Sequence, residues 1–167
     1  MRMARRLRAV ATGLALVASL ACSLGPRPRA PIARYDLGVS PGEREPAAPR
    51  LPFVFVVHEP SGPLWLDSGD MIYRLAYDEP RRLRRYANSQ WAVSPLTLVG
   101  ERVREGLAAR SERGGGLPDL GIPADYWVRV AVEDFAQVFD TPGRSHAVVR
   151  LRIVLVRARG HAFVAQQ

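Results

Sequence analysis

A continuous apolar run, LPFVFVVH at residues 51–58, constrains the fold of this chain more than any other feature. Apolar runs of four to eight residues are typical of buried strands. A strand with one face in water would alternate apolar and polar residues, and this run does not alternate. It therefore predicts a central strand covered on both faces, within an α/β fold that has a mixed sheet.

The 37 residues 71–107 predict a hairpin followed by a helix. Residues 71–77 alternate as a half-exposed strand does, Asp78-Glu79-Pro80 is a turn signal, and residues 82–88 return as a second strand. Ser94-Pro95 predicts a helix N-cap followed by proline at the first helical position. An apolar stripe at helical spacing follows, at Leu96, Val99, Val103 and Leu107. Trp91 is predicted to pack this helix onto the sheet.

Short strands are predicted on both sides of this segment. Tyr35, Leu37 and Val39 alternate with polar residues and glycine, which indicates a first strand. Residues 125–139 and 147–157 alternate again around a Thr-Pro-Gly turn, and a last short strand is expected at 162–165. The glycines at 114–116 are not followed by the Lys-Ser/Thr of a phosphate loop, so we predict a flexible connector there.

The N-terminus predicts a lipoprotein. Residues 1–21 contain four arginines and then an apolar segment too short to span a bilayer, which is typical of a signal peptide. The Ala21-Cys22 junction resembles a bacterial lipobox, with Ser19 where leucine is usual. We expect diacylglycerol and an N-acyl lipid on Cys22; the alternatives are an ordinary secretory signal and an uncleaved anchor.

The residues after Cys22 predict which membrane the lipoprotein is anchored in and how its domain is tethered to that membrane. Ser23 stands where an aspartate usually holds a lipoprotein at the inner membrane, so we expect the periplasmic face of the outer membrane. Residues 22–34 contain three prolines and predict a tether. Residues 35–167 then form the single folded domain.

Charge argues against nucleic acid. The chain has 24 Arg, no Lys and 16 acidic residues, for a net charge of +8. Removal of residues 1–21 takes away four arginines and no acid, which leaves 20 against 16, or +4. That excess is modest for a domain of this size, and we expect no nucleic-acid partner.

Few residues suggest chemistry. His58 has Ser61, Ser68 and Asp70 nearby in sequence, so a hydrolase triad is conceivable, but no Gly-x-Ser-x-Gly elbow accompanies them. No cluster of ligands at short spacing predicts a metal. We therefore expect a protein that is not an enzyme and that needs no cofactor beyond the lipid on its cysteine.

Two sets of residues are candidates for contact with a partner. Trp65 lies in a predicted loop and is the better candidate for an exposed aromatic contact. Four hairpin arginines could meet anionic headgroups or an acidic protein surface, and a solvated hairpin tip is the simpler interpretation. They are Arg81, Arg82, Arg84 and Arg85.

Ile72, Arg74 and Trp91, followed by apolar residues at Leu98 or Val99 and at Leu107, carry a resemblance. In their order and spacing the chain resembles the ABC-type transport auxiliary lipoprotein family, of the PqiC-like type. The resemblance implies a three-layer sandwich. The family usually continues into a closing C-terminal helix, which we expect this chain to lack.

The resemblance also implies a function. We expect an outer-membrane-anchored auxiliary lipoprotein of an ABC/MCE-type system that moves lipids between the bacterial membranes. It would dock an MCE-domain protein and, through it, the permease and ATPase, and it would support membrane integrity. The alternatives are a periplasmic lipoprotein with its own ligand pocket, or a lipid-anchored hydrolase. The oligomeric state stays open.

Overall fold

The computed structural model describes residues 30–38, 49–113, 115–116, 121 and 123–167, and residues from Ile32 to Gln167 form one compact unit. Eight strands make one mixed sheet, and a single-turn 3-10 helix lies at Leu64–Leu66. The elements are β1 (Ala33–Tyr35), β2 (Phe55–Val57), β3 (Asp70–Leu75), β4 (Arg84–Trp91), α1 (Pro95–Arg110), β5 (Gly115–Gly116), β6 (Tyr126–Thr141), β7 (Arg144–Arg157) and β8 (Phe163–Gln166).

The long strand β6 organises the sheet. Along one edge it pairs with β7 in an antiparallel hairpin, and β8 pairs in turn with β7. Along the other edge it pairs in parallel with β2 near its start and with β3 near its end. A register shift between Val132 and Asp134 separates the two parts. The order β1-β4-β3-β6-β2-β5 completes the sheet.

The predicted central strand is confirmed. Phe55, Val56 and Val57 are at most 6% exposed, so both faces of β2 are buried, and the strand lies between β5 and β6. It is shorter than the apolar run. The backbone of Val54 bonds instead to Asp125, through the carboxylate and through the N–H of that residue.

The predicted hairpin and helix are also confirmed. β3 and β4 pair antiparallel, and the Ser94 hydroxyl accepts a hydrogen bond from the Thr97 N–H at the start of α1. Trp91 packs edge-on against Phe135, with ring centroids 5.3 Å apart. Together α1 and the sheet bury the core, which comprises Phe55, Val57, Leu66, Val99, Val128, Val130, Val132 and Phe135.

The α/β class with a mixed sheet is therefore confirmed, and the arrangement is consistent with a three-layer sandwich. Among the described residues α1 is the one α-helix, and β8 is the last element. The predicted β6–β7 hairpin and the short final strand are present at nearly the predicted positions.

Two predictions need correction. The first strand is Ala33–Tyr35, two residues earlier than predicted, and it ends where the Asp36 carboxylate accepts the N–H of Gly38, a residue with φ +66°. The start of this strand also overlaps the end of the predicted tether. The glycines at 115 and 116 form β5 and pair with β2, because the outer backbone groups of that buried strand need hydrogen-bond partners.

Candidate functional site

The residues of the conceivable hydrolase triad form no hydrogen bond between His58 and a serine in the described part of the chain. The His58 ring packs edge-on against Trp127, and its Nε2 is buried without a hydrogen-bond partner in the described part of the chain. Ser61 joins β6 through backbone hydrogen bonds to Val130 and Val132. The described residues therefore lack the hydrogen bond between a base and a serine hydroxyl by which a serine nucleophile is activated.

Ser68 and Asp70 serve local structure instead. The Ser68 hydroxyl accepts the backbone N–H of Asp70 at 3.3 Å. The Asp70 carboxylate pairs with Arg85 at 3.1 Å. Both residues therefore help to set the start of β3, as side chains that bond to nearby backbone commonly do.

Trp127 lies between two histidines. The His58 ring lies 5.7 Å from it and the His161 ring 4.9 Å, measured between centroids, and both are edge-on. His161 adopts a positive φ of 52° in the turn between β7 and β8. The sequence gives no signal for this grouping, because 103 positions separate the two histidines.

Trp65 is half-buried rather than free in solvent. It packs against the core, and the Arg74 guanidinium lies 5.5 Å from the centre of its ring. One guanidinium nitrogen of Arg74, Nη1, donates to both carboxylate oxygens of Asp134, each at 2.9 Å. The residue that projects into solvent is its neighbour Leu64, which is 90% exposed. A contact role for Trp65 stays a prediction.

The hairpin arginines are largely neutralised by carboxylates. Arg82 pairs with Glu79 at 2.7 Å, and Arg84 pairs with Asp78 at 2.9 Å and with Glu79 at 3.3 Å. The hydrogen bond from Arg82, and then its charge, lowers the pKa of the Glu79 carboxyl.

Arg85 pairs with Asp70, so Arg81 is the one member of this set of four arginines that lacks an ion pair within the described residues. An anionic partner would therefore compete with carboxylates already bound to three of these four arginines. Their contact role also stays a prediction.

An apolar groove of about 770 Å³ lies between α1 and the sheet. Its sides and floor come from α1, from the segment before β2, from β6 and β7, and from the end of β8. The residues that line it include Val103, Leu107, Phe53, Val128, Ile153 and Leu155. The apolar faces of these elements are predictable from the sequence, but the gap between them is not. We name this space the α1 groove.

A smaller cavity of about 460 Å³ lies at the other end of the sheet. It is lined by Ile72, Trp91 and Phe135 together with the start of β7. The Tyr86 hydroxyl at its wall donates to Gln137, and burial raises the pKa of that phenol, with a smaller contribution from Tyr73.

The two outer strands β1 and β8 are exposed at every residue. Each pairs on one side only within the described part of the chain, β1 with β4 and β8 with β7. Large apolar side chains lie on them, with Phe163 66% exposed and Tyr35 49% exposed. Such edges are templates for the addition of another strand.

Cys22, the predicted lipidation site, lies outside the described residues, as do residues 1–29 as a whole. In the part of the chain that is described, no helix has the length and apolar character needed to cross a bilayer. Within the same residues, no group of three or more His, Cys, Asp and Glu side chains is placed to hold a metal ion.

No family model matches the chain, and neither does any curated protein. Solved structures do. The crystal structure of a Xanthomonas campestris protein of the DUF330 family superposes with a TM-score of 0.64 at 20% identity, over 81% of this chain and 73% of that one. The crystal structure of an uncharacterised protein superposes with a TM-score of 0.59 at 14% identity, over 83% and 76%. The chain therefore has a DUF330-type fold.

Proposed function

We propose that this chain is a periplasmic auxiliary lipoprotein of an ABC/MCE-type lipid transport system, anchored in the outer membrane through Cys22. It acts without catalysis, as a docking component that holds an MCE-domain protein. The PqiC-like resemblance suggests this role, and the DUF330-type fold agrees with it at the level of the fold alone.

The observation that carries the proposal is the exposed edge strand β8. Its residues are all exposed, Phe163 and Val164 project apolar surface, and its outer backbone edge has no partner among the described residues. A partner strand added there gains main-chain hydrogen bonds, and apolar side chains beside it add affinity. Natural proteins usually protect such an edge with charges, proline or a covering element.

The lack of a hydrogen bond between His58 and Ser61 or Ser68 among the described residues supports a role without catalysis. Deletion of the gene should weaken the outer-membrane barrier to detergents. Alanine at His58, Ser61, Ser68 and Asp70 together should leave that barrier intact once folding is verified. Release from the membrane through Cys22→Ser with a cleavable secretory signal should impair it.

The β8 edge is tested by Phe163→Lys, which places a charge on the exposed strand. We expect loss of co-purification with the MCE-domain protein. The matched control is Val149→Lys, because Val149 is 54% exposed on β7 and away from β8. Retained co-purification of the Phe163 variant would exclude β8 as the contact. The docking function as a whole would be excluded by the opposite pattern in the barrier assay. If the four alanine substitutions abolish the outer-membrane barrier while the soluble Cys22→Ser form maintains it, the protein acts as an enzyme.

A second candidate is a lipoprotein that binds a ligand in its own pocket, and the α1 groove favours it. The groove is apolar and large enough for a small ligand. The two functions share β8, because Val164 and Gln166 of that strand line the groove, whereas Phe163 does not.

A further inference from the structure

We propose that the α1 groove binds the acyl chain of a single-chain anionic amphiphile, a fatty acid or a lysophospholipid. The arginines at one end of the groove, Arg157 foremost, would hold its headgroup. This inference rests on the second candidate function, for which it names the class of ligand, and it does not depend on the docking function.

The groove has the size and surface of a ligand site. Ligand pockets in proteins enclose about 300 to 1,000 Å³ and are mostly apolar, and the α1 groove, at about 770 Å³, lies within that range. Aliphatic side chains form most of its lining, including Val103, Leu107 and Ile153. A hydrocarbon chain that lies against these side chains buries apolar surface on both partners.

Aromatic rings form one end of the groove. Tyr126 meets Phe53 edge-on at 5.2 Å and stacks with Phe55 at 5.9 Å, measured between ring centroids. All three residues line the groove. These ring contacts define a firm wall beside the point where the charged end of the ligand would lie.

The surface beside that wall is cationic. Arg157 is the cross-strand partner of Tyr126, so both side chains lie on the groove face of the sheet. Arg157 is exposed and has no ion pair within the described residues. Arg159 follows in the turn next to Ala158, whose N–H donates to the Asp125 carbonyl.

Two carboxylates lie at this end. That of Asp125 accepts the Val54 N–H at 2.8 Å and pairs with Arg113 at 3.6 Å. Glu112, whose backbone N–H donates to the Leu51 carbonyl, is exposed and makes no ion pair within the described residues. The last carbonyls of α1 accept hydrogen bonds from the N–H groups of Ser111 and Leu51. Arg157 and Arg159 leave an excess of positive charge over Glu112, which favours an anionic headgroup over a cationic one.

The experiment uses the full chain with Cys22→Ser, which carries no acyl group of its own. A fluorescent fatty acid is bound, and three unlabelled amphiphiles compete with it below their micellar concentrations. Palmitate and lysophosphatidylglycerol are the two anionic sources, and hexadecyltrimethylammonium is the cationic control of matched chain length. We expect at least one of the two anions to displace the fluorescent fatty acid, and the cation to displace it more weakly.

Affinities of unbranched carboxylates with 8 to 18 carbons measure how much of the binding free energy comes from the hydrocarbon part of the ligand. If the hydrocarbon part of the ligand fills the α1 groove, affinity should rise with each added methylene until the groove is full, because each buried CH₂ adds a similar free energy. This measurement needs no mutation, so it remains decisive even where a variant fails to fold.

Two variants locate the site. Leu107→Trp narrows the groove and should lower affinity for all three amphiphiles by roughly ten-fold or more, because the indole ring occupies space in which several methylenes of the ligand would otherwise be buried. Arg157→Gln should weaken anion binding by about three-fold, as expected for one exposed charge, and leave the cation unaffected. Arg150→Gln is the matched control, because it removes the same charge from an exposed position on the same strand, opposite Asp134.

The proposal is overturned if no amphiphile binds below its micellar concentration, if the cation binds as well as the anions, or if Arg150→Gln weakens binding as much as Arg157→Gln. A dimer in light scattering together with a flat chain-length series would mean that a second copy covers the groove, which also overturns it. None of these results bears on the docking of a partner at β8, so the two proposals fail separately.

Discussion

Residues 126–132 and 134–141 belong to the same strand, β6, yet they are held by different interactions. In the first part Val128, Val130 and Val132 are buried beneath α1 as part of the apolar core. In the second part most side chains are half-buried, and polar pairs link them to β3, β4 and β7. Those pairs are Arg74–Asp134, Tyr86–Gln137, Gln137–Ser145 and Asp140–His146.

The register shift after Val132 marks the change between the two parts. Such a bulge bends a strand and increases its local twist, so one strand can serve two neighbours on the same edge. The comparison indicates that apolar burial stabilises the half of the sheet near β2, while oriented polar contacts fix the half near β3. Four variants test that division.

The largest effect is expected from Val130→Asp. An unpaired carboxylate in the core costs several kcal/mol, on the order of the whole stability of about 5 to 15 kcal/mol for a domain. We expect a chain without a cooperative unfolding transition by circular dichroism. Val149→Asp, at an exposed position, should unfold cooperatively, and normal folding of the Val130 variant would show that the first half of β6 is not the core.

The next effect is expected from Arg74→Met. The side chains of Arg74 and Asp134 are 18% and 14% exposed, so loss of one partner leaves a poorly hydrated charge, at a cost of about 2 kcal/mol. Urea unfolding measures this change. The double variant with Asp134→Leu should recover part of the lost free energy of unfolding. If the double variant instead loses the sum of what the two single variants lose, Arg74 and Asp134 are not energetically coupled.

A smaller effect with opposite signs is expected at two glycines of α1. A Cβ at Gly100 would lie 2.7 Å from the Pro60 ring, so Gly100→Ala should lower stability. A Cβ at Gly106 meets nothing within 4 Å, and Gly106→Ala should raise stability by roughly 0.5 to 1 kcal/mol, because glycine is a poor helix former. Thermal unfolding gives both signs, and equal shifts would contradict the close packing of α1 at Gly100.

The smallest effect is expected from Glu79→Gln at the hairpin turn. Arg82 lowers the pKa of the Glu79 carboxyl below its ordinary value of 4.5, so any stabilisation is present above that pH and is lost as the pH falls through the lowered pKa. Both partners are exposed, and solvent screens the pair. The melting temperature should differ from that of the parent chain by a small amount at pH 7 and by a still smaller amount at pH 3.

Residues close together in sequence were enough to predict the local elements. The unbroken apolar run at 53–57 predicted a strand buried on both faces, and Ser94-Pro95 before an apolar stripe predicted the start of a helix. These features depend on residues that are near in sequence, so period and cap chemistry are sufficient to identify them. The same is true of the two hairpins, whose turns lie between alternating segments.

The contacts between residues far apart in sequence were not predictable and were established by the folded chain. The pairing of β6 with both β2 and β3, the recruitment of Gly115 and Gly116 as a strand, and the grouping of His58, Trp127 and His161 all join segments far apart in the chain. The α1 groove likewise depends on the distance between α1 and β7. Packing geometry sets that distance, and local sequence periodicity carries no information about it.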